Sequence, residues 1–283
     1  APVQVNFLGY TGTMGGDFAD YVIGDPVVTP LAPAADYDER IAQLPHCYQP
    51  NDRQRAVGAK PSRAEAGLPD DQVVLACFNY SYKVTEAVFA RWCQVLQRAP
   101  NTVLWLLRSN PLAETNLRAA MQARGLDPQR LYFAPEKPLA EHLARVQLAD
   151  LVLDTEPYNA HTTCSDALWV GVPVLTRTGD TFASRVATSL LHAAGVPELA
   201  TASAEAYIEL AVALAQDPAR LQSIKTATNV RKNGAGKTVV TDGPFAETKE
   251  HLLGFYIVDC ESVEEATEIA KSLQAANSGP SAY

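Results

Sequence analysis

Short apolar runs alternate with longer amphipathic segments between Asp71 and Gly195, and this alternation limits the possible folds more than any other feature of the chain. The apolar runs occupy residues 73–78, 102–107, 131–133, 151–154 and 173–176. Strands that are apolar throughout are buried on both faces, as in parallel sheets whose crossover helices cover both sides. The pattern therefore predicts an α/β domain with a doubly wound parallel sheet.

Helical patterns follow the predicted strands. They cover about residues 85–97, a segment that ends near Gly125, and residues 138–148, 165–170 and 181–194, where the series closes. Ligands of doubly wound sheets bind beyond the carboxyl ends of the strands. The loops that this rule selects are 79–83, 134–142 and 155–166.

The two ends of the chain follow other patterns. Residues 3–10 and 21–23 are predicted strands, separated by a glycine-rich turn and followed by a proline-rich connector with a helix near 36–43. Two strands and a helix cannot bury a core alone. Together with a first residue that is not Met, this predicts a piece of a longer protein. In the tail, residues 228–232 and 238–241 flank Asn-Gly-Ala-Gly and predict a hairpin, followed by a strand at 254–259 and a helix at 262–275.

Composition excludes several classes of protein. The formal net charge of −9 argues against a broad nucleic-acid or membrane surface, and no apolar run is long enough to span a bilayer. The five cysteines are scattered and odd in number, which predicts reduced thiols and a cytoplasmic location. The histidines have no metal-ligand spacing, and there is no P-loop and no GxGxxG after a strand.

Three groups of residues at the selected loops could bind a ligand. Lys83 lies between a strand and a helix, where it either binds phosphate beside the helix amides or is a solvated surface lysine. His161, Thr162 and Thr163 are three consecutive polar residues that fit a diphosphate, although helix capping by Thr163 or Ser165 is the simpler alternative.

The third group lies on the predicted helix 138–148. His142 and Arg145 share one face of that helix at i, i+3 spacing. They could stack on and hydrogen-bond a nucleobase, or they could form an ordinary exposed helix face.

These residues lie within a longer string that resembles the catalytic region of protein O-GlcNAc transferases of the SPINDLY/O-linked GlcNAc transferase family. The resemblance covers about residues 1–222 and is densest in three stretches. These are His161-Thr162-Thr163 with Asp166-Ala167-Leu168-Trp169, Gly171-Val172-Pro173, and Ala183-Ser184-Arg185-Val186-Ala187.

The resemblance implies a GT-B fold whose carboxyl lobe binds UDP-GlcNAc and transfers GlcNAc to Ser or Thr hydroxyls of an acceptor protein or peptide without a metal or other cofactor. It implies residues 1–60 as the end of the amino lobe with a linker, and 61–224 as the nucleotide-sugar lobe. It implies that Lys83 stabilises the leaving group and that Gly12 and Thr13 lie on the sugar and acceptor side. The UDP-binding residues that it implies are Tyr80, Lys83, Lys137, Pro138, Leu139, His142, Arg145, His161, Thr162, Thr163 and Asp166. The general base would lie in the part of the family that precedes residue 1.

The tail resembles a different family. The string Asp242-Gly243-Pro244-Phe245-Ala246-Glu247-Thr248-Lys249-Glu250 is similar to the YCII-related or DGPF family of small dimeric ferredoxin-like α+β proteins. Residues 225–283 would then be a partial copy of that fold and could form a homodimer. The leading hypothesis is a transferase fragment that binds UDP. The alternatives are a non-enzymatic chimera with a dimerising tail, or another GT-B enzyme such as a nucleotide-sugar epimerase.

Overall fold

The computed structural model describes residues 2–52 and 54–233, with side chains as far as Lys225. The described chain forms two compact units, one that ends at Gln54 and one that begins at Arg55. The domain limits expected at 60/61 and 224/225 stay predictions. The sequence similar to the DGPF family, and the dimer expected from it, lie outside the described residues.

The first unit contains a three-stranded parallel sheet in the order β1-β2-β3. Its strands are β1 (Val5–Asn6), β2 (Tyr21–Gly24) and β3 (Arg40–Gln43). The buried carboxylate of Asp25 stabilises the turn after β2 by accepting hydrogen bonds from the backbone N–H groups of Val27, Val28 and Tyr48.

The helix expected near 36–43 is wrong. Residues Ala34–Asp36 form one short 3-10 turn, and residues 40–43 form strand β3, which pairs in register with Tyr21–Gly24. Charged residues at 36–40 favour a helix locally. Pairing with β2 satisfies the backbone groups of this segment through a neighbour that local sequence patterns do not reveal.

The second unit contains a six-stranded parallel sheet, which confirms the predicted fold class. Its strands are β4 (Val73–Cys77), β5 (Thr102–Leu107), β6 (Leu131–Ala134), β7 (Leu151–Leu153), β8 (Val174–Arg177) and β9 (Ala200–Thr201). All five residues of β4 and all three of β7 are buried. Burial on both faces explains why the central strands have continuous apolar sequences.

Helices alternate with these strands. They are α1 (Glu86–Arg98), α2 (Pro111–Gln122), α3 (Leu139–Val146), α4 (Thr162–Trp169), α5 (Val186–Ala193), α6 (Ala204–Gln216) and α7 (Pro218–Asn233). The amphipathic helix α1 shows how sequence defines such an element. The Thr85 side chain caps its first turn by accepting from the N–H of Val88, and one face buries Phe89, Trp92 and Leu96.

The strand order locates the ligand crevice. The order β6-β5-β4-β7-β8-β9 is the Rossmann order, in which the connections run outward in both directions from the two central strands. The chain direction of the connections reverses between β4 and β7. Ligands bind at this switch point, beyond the carboxyl ends of the two strands.

Several elements differ from the sequence-based expectations. Helix α4 begins at Thr162 rather than 165, so Thr162 and Thr163 lie inside its first turn. The series does not close at 194, because β9 and α6 extend it; β9 has only two residues and leaves no apolar run to detect. The strand expected at 228–232 is wrong, because α7 continues through Asn233. Helix α7 starts with Pro218, and the Asp217 side chain caps its first turn by accepting from the N–H of Arg220.

A network of charges joins the amino ends of the central strands, and we call it the amino-edge network. Asp150, just before β7, accepts from Arg63 Nη2 at 2.7 Å and from the N–H of Val74 at 2.8 Å. Lys225 lies 3.5 Å from the other carboxylate oxygen and donates to the Ala149 carbonyl. Each charged group of the network therefore contacts an opposite charge and backbone polar groups.

Candidate functional site

The loops after β4 and β7 meet at the switch point through one buried amide. The side chain of Asn79, which is 6% exposed, donates from Nδ2 to Thr155 Oγ1 at 2.8 Å. Its Oδ1 accepts from the hydroxyl of Thr163. Asn79 thereby links the ends of β4 and β7 to the first turn of α4, a role that the sequence analysis did not assign. The sequence feature that could have predicted this role is an amide side chain directly after an apolar strand.

Lys83 lies at this junction in a short 3-10 turn. Its Nζ donates to the Asn159 carbonyl at 2.9 Å and lies 4.1 Å from the ring centroid of Tyr158. Burial lowers the pKa of Lys83, while the charge of Asp154 acts in the opposite direction. Among the described residues Lys83 forms no ion pair with a carboxylate, so its charge is available to an anion.

His161 stands at the amino end of α4. Its ring nitrogen Nε2 lies 3.2 Å from the Ala183 carbonyl, and because a carbonyl oxygen only accepts, Nε2 carries a proton. Burial, followed by the charge of Lys83, lowers the pKa of His161 to about 4. The imidazole is therefore neutral near pH 7. It can donate to a phosphate through Nδ1 only if it gains a second proton.

The amino end of α4 supplies further donors. No side chain caps this helix at His161, which differs from the capping alternative. The hydroxyl of Thr163 is used by Asn79, whereas Thr162 is exposed. The hydroxyl of Ser165 is buried and has no partner among the described residues. An anion at this end would therefore meet backbone N–H groups and the Thr162 hydroxyl rather than two threonine hydroxyls.

His142 and Arg145 form one unit on α3. Arg145, only 4% exposed, donates to the Pro135 carbonyl and also to His142 Nδ1, at 3.2 Å from Nε and 3.0 Å from Nη2. Both side chains pack against Phe78. Burial lowers the pKa of His142 to about 4. Arg145 thus holds the neutral His142 ring with its Nε2 protonated, ready to donate to an acceptor such as a base carbonyl.

The remaining residues predicted to bind UDP lie in two loops, the loop after β4 and the loop before α3. Tyr80 donates through its hydroxyl to Glu136 at 3.1 Å, which joins this loop to the loop after β4. Lys137 forms an exposed ion pair with Glu141 at 2.8 Å. Pro138 stands at the amino end of α3, and its first residue, Leu139, is exposed.

Asp166 has a partner that the sequence analysis missed. Its carboxylate accepts from Arg55, and both side chains are more than nine-tenths buried. Burial raises the pKa of Asp166, and the charge of Arg55 acts against that rise. Arg55 also lies 5.2 Å over the ring of Trp169. Arg55 stands in a polar connector 111 positions before Asp166, so no local pattern marks it.

Gly12 and Thr13 lie in the first unit. The Gly12 carbonyl accepts from Asn6 Nδ2 at 3.0 Å, and Thr13 Oγ1 accepts from the N–H of Gly15 at 3.1 Å. Their assignment to the sugar and acceptor side stays a prediction, as do the binding roles of the residues above.

Residues 2–52 and 54–233 lack two classes of feature. No helix in these ranges has the length and apolar character needed to cross a membrane. The same ranges contain no group of three His, Cys, Asp or Glu side chains placed to hold a metal ion.

The chemistry of this crevice suits a nucleoside diphosphate. A desolvated ammonium and helix N–H groups face the switch point, and a neutral histidine packs on an aromatic ring at a neighbouring loop. A Rossmann-type six-stranded sheet, together with a second, three-stranded parallel sheet, fits the fold of GT-B glycosyltransferases. The chain belongs to glycosyl transferase family 41, whose family model matches residues 1–58 and 56–237.

Two relatives show how much of such a protein this chain spans. A probable UDP-N-acetylglucosamine–peptide N-acetylglucosaminyltransferase SEC of Arabidopsis thaliana is 40% identical over 231 residues, covering 79% of this chain and 24% of the relative. A UDP-N-acetylglucosamine–peptide N-acetylglucosaminyltransferase of Caenorhabditis elegans is 38% identical over 193 residues, covering 68% and 17%. The chain therefore spans about a quarter or less of the length of these relatives.

Solved structures agree on the fold. An O-GlcNAc transferase mutant of Thermobaculum terrenum superposes with a TM-score of 0.77 at 28% identity, covering 97% of this chain and 48% of that one. HepE of Anabaena, solved in complex with UDP, superposes with a TM-score of 0.55 at 15% identity, covering 91% and 64%. At that identity the second comparison supports the GT-B fold alone.

Proposed function

We propose that this chain is the nucleotide-sugar-binding part of an enzyme that transfers GlcNAc from UDP-GlcNAc to Ser or Thr hydroxyls of proteins. Membership of glycosyl transferase family 41 and the names of the two relatives support this substrate pair. The acceptor is a protein or peptide. A homodimer through residues 225–283 and a cytoplasmic location remain predictions; Cys77 and Cys93 are free thiols, which is compatible with a reducing compartment.

One observation supports the proposal more than any other. The Lys83 ammonium sits at the switch point with a carbonyl and an aromatic ring as neighbours, beside the uncapped amino end of α4. A cation that is partly removed from water and not neutralised by a carboxylate interacts strongly with an incoming diphosphate.

The same geometry supports a catalytic role. When the glycosidic bond to UDP breaks, negative charge develops on the departing diphosphate. Lys83 and the N–H groups of α4 are positioned before the reaction and would stabilise that charge. We propose that no metal or cofactor is required for this step. The base that takes the proton from the acceptor hydroxyl is not assigned to any residue of this chain.

Calorimetric titration of the full chain with UDP tests the proposal. We expect Lys83→Ala to weaken binding by about 1–3 kcal/mol, the usual scale for the loss of one hydrogen bond to a charged group. We expect a similar loss for His161→Ala, because a bound diphosphate favours the doubly protonated imidazole, which can then donate through Nδ1. Lys60→Ala is the matched control, because Lys60 is an exposed lysine outside the candidate site. A folded chain that does not bind UDP would contradict the proposal.

A transfer assay separates the activity from binding alone. The chain is incubated with UDP-GlcNAc and an acceptor protein, and glycosylated protein is the expected product if the fragment is active. Release of free GlcNAc isomers without glycosylated protein would instead indicate an epimerase.

A further inference from the structure

Tyr158 contacts both of the groups that the proposed function assigns to the diphosphate. The Lys83 ammonium lies 4.1 Å from the centroid of its ring. The His161 imidazole stacks on the same ring, with centroids 4.7 Å apart and planes inclined by 25°. Tyr158 itself is 44% exposed, so it is not a core residue held there by burial alone. Its ring is therefore described best by its contacts with Lys83 and His161.

The contact with Lys83 has a clear physical effect. Loss of water around an ammonium disfavours its charged form, and burial does lower the pKa of Lys83. The negative face of an aromatic ring stabilises a cation, more so where water is displaced. Asp154, at the end of β7, and Cys77, at the end of β4, are the other titratable groups that act on Lys83. The ring therefore supports the charged ammonium without a carboxylate that would compete with an anionic ligand.

The contact with His161 restricts the orientation of the imidazole. One ring nitrogen already donates to the Ala183 carbonyl, which fixes one point of the ring. Stacking on Tyr158 restricts rotation of the ring about that hydrogen bond. The two contacts together determine where the remaining nitrogen, Nδ1, lies.

We propose that Tyr158 is a positioning residue of this crevice, whose ring holds the Lys83 ammonium and the His161 imidazole in the arrangement that receives a diphosphate. The proposal rests on the proposed function for its ligand. It assigns the effect to the ring and not to the hydroxyl. The backbone of Tyr158 has a separate role, because its carbonyl accepts from Thr155 Oγ1 at 2.8 Å, and side-chain substitutions keep that bond.

The first test compares Tyr158→Phe, which keeps the ring, with Tyr158→Leu, which removes it. UDP is titrated into the full chain by calorimetry. We expect Tyr158→Phe to bind within about twofold of the wild type and Tyr158→Leu to bind about tenfold more weakly, the scale of one partly desolvated cation–π contact. Tyr21→Leu is the control, because Tyr21 also lies beneath an arginine, at 5.9 Å, but belongs to the first unit. It is expected to bind like the wild type.

Equal binding by Tyr158→Leu and the wild type would overturn the proposal. So would a loss in Tyr158→Phe as large as that in Tyr158→Leu, because the hydroxyl would then be responsible. Recovery of affinity by the phenylalanine variant is the result that a merely structural role of the hydroxyl would not produce.

The second test needs no nucleotide. In NMR spectra, the side-chain methylene protons of Lys83 should be shifted upfield by the ring current of residue 158 in the wild type and in Tyr158→Phe, and not in Tyr158→Leu. UDP binding by the wild type without this upfield shift would overturn the positioning role and leave the proposed function intact. Absence of UDP binding with the shift present would instead overturn the proposed function, and with it the ligand assigned to Tyr158.

Discussion

The two ends of the six-stranded sheet use charge in opposite ways. At the amino ends of β4 and β7, Asp150 is held by Arg63, Lys225 and a backbone N–H, so charge is balanced within the protein. At the carboxyl ends of the same strands, Lys83 donates to a carbonyl and lies over an aromatic ring, and it forms no ion pair among the described residues. Both ends belong to the same two strands, β4 and β7, whose residues are all buried. Charge is thus balanced within the protein at one end, whereas the other end has a cation that forms no ion pair with a carboxylate among the described residues.

The largest effect is expected from breaking the amino-edge network. Arg63→Ala removes the ion pair to Asp150 together with a hydrogen bond to the Gln72 carbonyl. We expect the free energy of unfolding to fall by about 2–3 kcal/mol, somewhat less than for a fully buried pair because both side chains are partly exposed. UDP affinity should not change. Urea denaturation and UDP titration measure the two quantities.

Arg108→Ala is the control for this variant. It removes an ion pair to Glu114 whose arginine is largely exposed, so the loss should be below about 1 kcal/mol. An equal loss in the two variants would show that the amino-edge network is no more than ordinary surface charge.

The opposite result is expected at the carboxyl ends of β4 and β7. Lys83→Met keeps the apolar stem of the side chain and removes a charge that burial disfavours. The free energy of unfolding should therefore stay the same or rise, while UDP affinity falls by about 10- to 100-fold. If Lys83→Met lost both stability and UDP affinity, the charges at the two ends of the strands would not differ in their contribution to stability.

The next comparison concerns the pH dependence of stability at the carboxyl ends of the strands. The pKa of His161 is about 4 in the folded chain and about 6.5 when unfolded, so the unfolded state binds the proton first. The contribution of the neutral imidazole to stability is therefore complete above about pH 6.5 and is lost as pH falls toward 4. Relative to His161→Gln, the wild type should become progressively less stable through that window. Urea denaturation at several pH values measures this, and parallel curves would show that His161 is not buried in neutral form.

The smallest effect on UDP affinity is expected from a second lysine at the carboxyl ends of the strands. Lys137 is exposed and already paired with Glu141, so its charge is screened by water. Lys137→Ala should weaken UDP binding by less than about threefold, on the scale of an exposed pair. A loss of UDP affinity comparable to that of Lys83→Ala would show that solvent exposure does not determine how much each lysine contributes to UDP binding.

The fold of the second unit was largely predictable because its strands and helices repeat a simple hydrophobic pattern. Five of its six strands were predicted close to their observed positions, while β9 was missed because two residues carry no periodicity. Strand β3 was mistaken for a helix because its partner lies about twenty residues away. Patterns within a segment do not report pairing between segments.

The candidate site was predictable in its loops and not in its internal contacts. The rule for parallel sheets located Lys83 and the start of α4, because it depends only on where strands end. The hydrogen-bond partners of individual atoms depend on the three-dimensional structure and were not predictable. The Thr163 hydroxyl is used by Asn79, the Nε2 proton of His161 by Ala183, and neither partner is a sequence neighbour.

The contact between Arg55 and Asp166 has a consequence for the order of events during synthesis. Arg55 is made 111 residues before its partner, an interval of about 5–20 s at ordinary rates of translation. During that interval the segment that leads into β4 has no carboxylate to hold this arginine. This contact must wait until β7 and α4 have emerged, so Arg55 can be held in its final place only after four of the six strands of the second unit have been made.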